Sequence, residues 1–237
     1  EPPSSTVRDK GLIPWRDALM WLGLSVLWTW PAVLAGGTRA VGRHFDLLGT
    51  IWSISAAERL VPGLMDGHTS WPVGADYSAF DSYTLLPIGY LLSGFDSVRV
   101  HALLGVGGVA VSAWAADWFA RVVGARRPWS MVAGVTFAFS GLAATALLEG
   151  HVYHIVNPWL PLFAGYWWRA CGPNGRPSDG LLSGLFFTLT FLTTAYLGVA
   201  ACIITGCFLV GSVWEKQATL GSAGAGLVCM LPVVVFV

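Results

Sequence analysis

Asp46 combines a residue type and a chain position that could support catalysis. It lies in the segment RHFDLLGTIW, after a short polar turn that follows the first long uncharged segment. A carboxylate that faces a water-filled cavity at this point could accept a proton from a substrate hydroxyl. The alternative is that Asp46 is the N-cap of a helix starting at Leu47, a position that aspartate favours. The two roles are compatible, and we predict Asp46 as the catalytic residue.

A second group of polar residues lies in the short segment LEGHVYH and comprises Glu149, His151 and His154. If this turn is helical, the three side chains could converge on a metal or on a phosphate-bearing headgroup. The alternative is a solvated turn with histidines at a membrane interface. Three ligands in so short a turn are not a strong zinc signature, so we assign Glu149, His151 and His154 to substrate binding. A divalent metal is left open as a cofactor.

Most of the other polar residues gather between Arg39 and Arg99. The stretch DGHTSWPVGADYSAFD is typical of turns, and most of its acids are expected to cap or turn the backbone. From this part of the chain we assign Arg43 and Asp81 to substrate binding. Asp117 and Arg121 are spaced to form an ion pair along one helix, which we interpret as structural.

Long uncharged segments separate these polar residues. No residue is charged between Asp17 and Arg39, between Arg127 and Glu149, between Asp179 and Glu215, or after Lys216. A membrane-spanning helix needs about 20 apolar residues. Charged residues make up 11% of the chain, against about 25% in a soluble domain. The formal net charge is zero, so nothing indicates a nucleic-acid partner.

This pattern predicts an all-α fold, a polytopic transmembrane helical bundle of about seven spans. The predicted spans are residues 18–37, 100–119, 129–148 and 155–168, two helices within 181–213 that divide near 196–198, and a last span that starts near 220. We expect a single transmembrane domain over residues 1–237, truncated at its C-terminus. Residues 38–99 form a long first outer loop, in which LLGTIWSISAAERLV and YTLLPIGYLLSGF are predicted as interfacial helices.

Basic residues set the expected orientation, because cytoplasmic loops are rich in lysine and arginine. Four segments outside the predicted spans carry basic residues, and the alternation of the spans places all four on the same side of the membrane. They contain Arg8, Lys10 and Arg16, then Arg121, Arg126 and Arg127, then Arg169 and Arg176, and then Lys216. We therefore expect a cytoplasmic N-terminus. The 38–99 loop and the 149–154 turn then lie together on the outer face of the membrane.

The order of these features resembles bacterial GT-C-type glycosyltransferases, integral membrane enzymes that use polyprenyl-phosphate sugars. Each matching motif is loose, and the resemblance lies in their order and spacing over the N-terminal part of such a transmembrane domain. The segments that carry it are FDLLGTIWSISAAERL, SWPVGADYSAFDSYTLLPIGYLLSGF, FARVVGARRPWSMVAGVTFAFSG, LEGHVYHIVNPWLPLFAGYWWRA and LLSGLFFTLTFLTTAYLGV.

The resemblance implies a polyprenyl-phosphate sugar as donor, the lipid bilayer as a partner and the bacterial cytoplasmic membrane as the location. It implies that an aspartate of the first outer loop, here Asp46, acts as the base or supports a metal, and that Glu149 and His151 belong to the donor site. Arg39 or Arg43 would neutralise the leaving phosphate. In the first loop the chain departs from the family, since many members have paired acids there and Asp46 stands alone.

Two other classes of protein fit the sequence. A non-catalytic transmembrane subunit of a larger complex is compatible with loose motifs and a single loop acid, and it would co-purify with other membrane subunits. A lipid or solute transporter ranks third. Transporters usually carry ionisable residues at the centres of their spans, and the predicted spans carry none there. No inverted repeat is evident between the two halves of the chain either.

Overall fold

A computed structural model describes residues 15–30, 33, 42, 45–60, 65–66, 75–76, 85–92, 94–155, 157–214, 224, 227 and 230. These residues are predominantly helical, with one pair of two-residue antiparallel strands, so the predicted all-α class is confirmed for this part of the chain. The helices are α1 (Trp15–Trp28), α2 (Phe45–Leu60), α3 (Leu85–Leu91), α4 (Ser97–Val122), α5 (Arg127–Ala138), α6 (Gly141–Glu149), α7 (Val152–Ile155), α8 (Trp159–Cys171), α9 (Pro177–Thr193) and α10 (Ala195–Trp214). The strands are β1 (Met65–Asp66) and β2 (Ala75–Asp76), with Met65 opposite Asp76 and Asp66 opposite Ala75.

Helix α4 is the central element, because α1, α2, α5, α7 and α8 all pack against it. Asp96 is its N-cap, and the carboxylate accepts hydrogen bonds from the backbone N–H groups of Val98 (3.1 Å) and Arg99 (3.2 Å). Small residues such as Gly108 and Ala113 are buried along α4. Small side chains let the neighbouring helices approach it closely.

Two helices bury polar side chains while they expose large apolar ones on their outer faces. In α1, Asp17 and Ser25 are buried, whereas the side chain of Leu27 is 70% exposed. In α9, Thr190 is buried and Leu181 is 53% exposed. A helix on the surface of a water-soluble protein has the opposite arrangement, with its apolar stripe against the core.

Several buried hydroxyl groups find acceptors inside the bundle. Thr190 Oγ1 donates to the carbonyl of Phe186 one turn earlier in α9 (2.8 Å). Ser25 Oγ donates across the helix interface to the carbonyl of Val106 in α4 (2.5 Å). Because a buried polar group is costly only when it lacks a partner, these inward hydroxyls are compatible with a tightly packed bundle.

Two segments are long and apolar enough to cross a membrane by length and composition. They are α4 and Arg127–Glu149, which comprises α5 and α6, and they match the predicted spans 100–119 and 129–148. The second segment is interrupted between α5 and α6, where Ser140 Oγ accepts a hydrogen bond from the backbone N–H of Ala143 (3.2 Å) and caps α6. The two segments indicate membrane association.

Seven spans of full length are not found among the described residues. Helix α1 has 14 residues, about 21 Å at 1.5 Å per residue, and it ends at Trp28 instead of near residue 37. Pro31 provides the reason, since proline has no N–H group and disfavours helix at the preceding residue. Helix α8 begins at Trp159 instead of residue 155, and Asn157 accepts a hydrogen bond from the Leu160 N–H at its start (3.3 Å).

The uncharged run 181–213 divides into two helices, as predicted. The break lies at Thr194, just before the predicted position of 196–198, and the backbone of Thr194 is extended (φ −163°, ψ 132°). Of the last predicted span, the structure describes only residues 224, 227 and 230. Met230 is buried in an apolar cluster with Phe163 and Trp167 of α8, so this residue packs against the bundle.

The helices predicted in the 38–99 loop correspond to α2 and α3. Helix α2 packs against α3, α4 and α6. It buries Thr50, Ser53, Ile54 and Ala56, whereas the side chain of Leu48 is 65% exposed. The long loop therefore contributes a helix that is held by several others and that meets α4 and α6.

Candidate functional site

Helix α6 ends at Glu149, and its C-cap is Gly150, whose backbone is left-handed (φ 85°, ψ 10°). The Gly150 N–H donates to the carbonyl of Leu147 (3.2 Å), and the His151 N–H donates to the carbonyl of Ala146 (2.8 Å). Glycine commonly closes a helix in this way, because other L residues are strained at positive φ. The chain therefore turns sharply here and enters α7 directly.

The first turn of α2 lies directly against this glycine. A Cβ atom on Gly150 would lie 2.5 Å from Leu47 Cα and 2.9 Å from Leu47 N, too close for any side chain. Gly42, whose φ is 133°, is also near, since a Cβ atom on it would lie 3.1 Å from Gly150 Cα. Asp46 immediately precedes Leu47, so the helical turn that contains Asp46 meets the turn between α6 and α7.

The Gly150 carbonyl joins α2 and α4 to the same turn. Thr50 Oγ1 donates to this oxygen (3.1 Å), and His101 Nε2 lies 3.5 Å from it. His101 is fully buried, and its Nδ1 has no hydrogen-bond partner among the residues that the structure describes. His101 was not predicted as a site residue. An ionisable residue inside a predicted span was the signal that could have identified it.

The three residues predicted from LEGHVYH lie together at this turn. Glu149 Oε2 is 3.6 Å from His151 Nδ1, an ion pair when the histidine is protonated. The rings of His151 and His154 are 5.3 Å apart between centroids. The Glu149 side chain is 47% exposed and that of His151 19% exposed, so a ligand can reach both. Within the described part of the chain, no three His, Cys, Asp or Glu side chains are grouped to hold a metal ion.

The other predicted site residues are only partly described. Arg43 and Asp81 lie outside the described residues, as does the side chain of Asp46. The predicted helix start at Leu47 is wrong, because α2 begins at Phe45 and Asp46 is its second residue. Asp46 therefore lies within the first turn of α2 instead of at the N-cap. The first turn of a helix also favours acidic residues, since the helix dipole is positive there.

A second polar group ties α1, α4 and α5 together at the opposite end of α4. Asp117 Oδ2 lies 3.2 Å from Arg121 Nη2 and accepts a hydrogen bond from the indole N–H of Trp21 (3.4 Å). Asp17 pairs with Arg127 (2.5 Å) and lies 3.9 Å from Arg121. We refer to these five residues as the polar clamp.

The polar clamp confirms the predicted pair of Asp117 and Arg121. The contributions of Asp17, Trp21 and Arg127 were not predicted, because they come from other helices and no local spacing indicates them. Asp117 is fully buried and Asp17 nearly so. Buried charges are tolerated only when they are paired, so these contacts hold the three helices in one arrangement.

No protein-family model, curated protein or solved structure matches this chain. The structure itself defines a helical protein with two apolar segments of membrane-spanning length. One end of its central helix α4 meets the turn at Gly150, and the other end contains the polar clamp.

Proposed function

We propose that this protein is a membrane glycosyltransferase of the GT-C type, which transfers a sugar from a polyprenyl-phosphate donor to an acceptor hydroxyl on the outer face of a bacterial cytoplasmic membrane. The observation that carries the proposal is the backbone contact between Leu47 and Gly150. This contact brings the helical turn of Asp46 next to Glu149 and His151, from two loops that are far apart in the sequence. A base and a polar donor-binding turn are what such a transfer requires.

The arrangement of side chains supports a membrane location. Large apolar side chains such as Leu27 (70%), Leu142 (79%) and Val210 (68%) are exposed, whereas Asp17 and Thr190 are buried. In water, exposed apolar area costs about 25 cal/mol per Å², and in lipid this cost disappears. The proposal therefore includes a polytopic bundle in the bilayer, with a cytoplasmic N-terminus and with Gly150 on the outer side.

In the proposed reaction, Asp46 takes the proton of the acceptor hydroxyl. The hydroxyl oxygen attacks the anomeric carbon of the donor sugar, and the bond from that carbon to the phosphate oxygen breaks. The electron pair leaves with polyprenyl phosphate, so the configuration at the anomeric carbon inverts. His151 and His154, together with Arg43, would bind the leaving phosphate, and Glu149 and Asp81 would bind hydroxyls of the sugar.

Replacement of Asp46 by asparagine tests the proposal, because an amide cannot act as the base. The full-length protein is reconstituted into proteoliposomes with polyprenyl-phosphate sugars, and the release of polyprenyl phosphate is measured. We expect the transfer rate of Asp46→Asn to fall by a factor of about 10² or more, as for loss of a general base. Glu58→Gln, in the last turn of the same helix, is the matched control and is expected to keep the wild-type rate.

Two results would contradict the proposal. A wild-type transfer rate in Asp46→Asn would exclude Asp46 as the base. Absence of polyprenyl phosphate release by the wild-type full-length protein, with every donor sugar offered, would exclude the transferase and favour a non-catalytic subunit.

That second candidate is supported by a specific surface. The segment Arg127–Glu149 exposes Trp129, Val132, Leu142 and Leu148 on its outside. Such a face could pack against a helix of another membrane subunit as well as against lipid. If the protein is a subunit of this kind, Leu142→Gln is expected to release it from a purified complex that shows no transferase activity.

A further inference from the structure

An apolar groove of about 410 Å³ lies between α1 and α4 on the outside of the bundle. Its volume falls within the range of ligand pockets, about 300–1,000 Å³. Its lining residues are Ala18, Leu22, Gly107, Ala110, Val111 and Trp114. The groove exists because half of these residues are glycine or alanine, which cannot fill the space between the two helices.

The groove begins beside the polar clamp, because Ala18 follows Asp17 in α1. The two aspartates and two arginines of the clamp compensate each other. Arg16 and Arg126, in contrast, are exposed and have no carboxylate partner within the described part of the chain. The described residues at this end of the bundle therefore carry a net positive charge.

Two tryptophans indicate at which depth of a bilayer the arginines Arg16 and Arg126 lie. Trp15 and Trp129 are 68% and 70% exposed at the same end of the bundle. The guanidinium carbon of Arg16 lies 5.6 Å from the ring centroid of Trp15. Tryptophan is enriched where hydrocarbon meets the lipid headgroups. The arginines thus lie at headgroup level, and the groove extends from them towards the hydrocarbon.

We propose that the groove and these arginines bind an anionic phospholipid of the surrounding bilayer, with an acyl chain in the groove and the phosphate at Arg16 and Arg126. Charge complementarity selects this occupant, because a zwitterionic lipid would gain little binding free energy from two arginines that have no carboxylate partner. A soluble phosphate would not use the apolar groove. The two arginines lie at the end of the bundle away from Gly150, and the groove extends from there only to the middle of α4. The site therefore depends on membrane embedding and not on the transferase reaction.

Native mass spectrometry of the full chain in nanodiscs tests this proposal, with phosphatidylglycerol and phosphatidylcholine as the two probes. We expect the wild-type protein to retain phosphatidylglycerol about tenfold more than phosphatidylcholine, since arginines at a membrane surface attract anionic lipids. The double variant Arg16→Gln/Arg126→Gln is expected to lose this preference. Gly107→Leu is expected to reduce retention of both lipids, because the leucine occupies the groove.

Matched controls separate the site from general effects of charge and size. Arg99→Gln removes an exposed arginine at the opposite end of α4. Gly211→Leu adds the same side chain to α10, and a Cβ atom at Gly211, as at Gly107, meets no atom within 4 Å. Both controls are expected to retain the two lipids as the wild type does.

Three outcomes would overturn the proposal. The first is equal retention of the two lipids by the wild type. The second is a loss of preference in Arg99→Gln as large as that in the double variant. The third is displacement of phosphatidylglycerol by an equal amount of polyprenyl phosphate in the wild type but not in Gly107→Leu, which would make the prenyl lipid the occupant.

Discussion

Gly150 must be glycine for two physical reasons, which a second glycine allows us to separate. Its φ is 85°, and a Cβ atom there would also collide with the backbone of Leu47. Gly124 has a φ of 98°, but a Cβ atom on it would meet nothing within 4 Å. A substitution at Gly124 therefore measures the free-energy cost of the left-handed backbone alone, whereas a substitution at Gly150 also measures the contact between α2 and the end of α6.

We predict that Gly150→Ala destabilises the protein more than Gly124→Ala. Both variants place an L side chain in the left-handed region, at a cost of about 1–2 kcal/mol. Only Gly150→Ala also forces a methyl group into Leu47, and such overpacking costs about 1–3 kcal/mol more. Thermal unfolding in detergent measures the difference. Equal losses of stability would contradict the packing of α2 on this turn.

This contact illustrates what could not be predicted from the sequence. Thr50 and Gly150 are 100 residues apart, and neither residue has a spacing that points to the other. Asp46, Glu149 and His151 were assigned to one site only through a resemblance to a family. The individual residues could be selected by their chemistry and their position between apolar segments, but their proximity depends on how α2 packs against α4 and α6.

At the scale of the elements, the polar clamp fixes how α1, α4 and α5 meet. Its local part, Asp117 with Arg121, could be predicted because residues four apart share a helix face. Its tertiary part could not, since Asp17 and Arg127 are 110 residues apart. The ends of the helices likewise differ in whether the local sequence indicates them. Pro31 could have indicated the early end of α1, whereas nothing in the local sequence explains the break at Thr194.

We predict that Asp117→Ala destabilises the protein far more than Asp96→Ala, which removes the same residue type from the same helix. Asp117 is fully buried, and its loss leaves Arg121 and the Trp21 N–H without a main partner, at a cost of about 3–5 kcal/mol. Asp96 is an exposed N-cap, and its loss costs about 1 kcal/mol. Unfolding in mixed detergent micelles measures both. Similar losses would indicate that the clamp does not hold the helices together.

At the scale of the whole molecule, the outward-facing leucines and inward-facing hydroxyls form one consistent pattern. It recurs in α1 and α9, which belong to different parts of the bundle. The sequence predicted a membrane protein from its uncharged segments, but it did not show which face of each helix would point outward. Which face of a helix points outward depends on packing, because the small and polar residues that let two helices approach each other closely lie on the inner faces.

We predict that Cys202 and Cys207 of α10 are protected from a water-soluble maleimide when the protein is in nanodiscs, although both are exposed on the protein surface. A water-soluble maleimide carries polar groups that do not enter hydrocarbon, so it does not reach a thiol there. The background Cys171→Ser/Cys229→Ser leaves these two cysteines as the reporters, and added Arg126→Cys at the exposed end is the labelled control. Complete labelling of Cys202 and Cys207 in intact nanodiscs would show that α10 faces water.

The length of α1 and the length of the uncharged part of α4 have a consequence for the membrane itself. Helix α4 has no Asp, Glu, Lys or Arg between Arg99 and Asp117, which corresponds to about 25 Å of helix, and α1 is shorter still. The hydrocarbon core of a typical bilayer is about 30 Å thick. Around helices whose apolar length is shorter than the hydrocarbon core, the bilayer becomes thinner locally. In a cell whose membrane varies in thickness, this protein is expected to concentrate in the thinner regions and to deform the thicker ones.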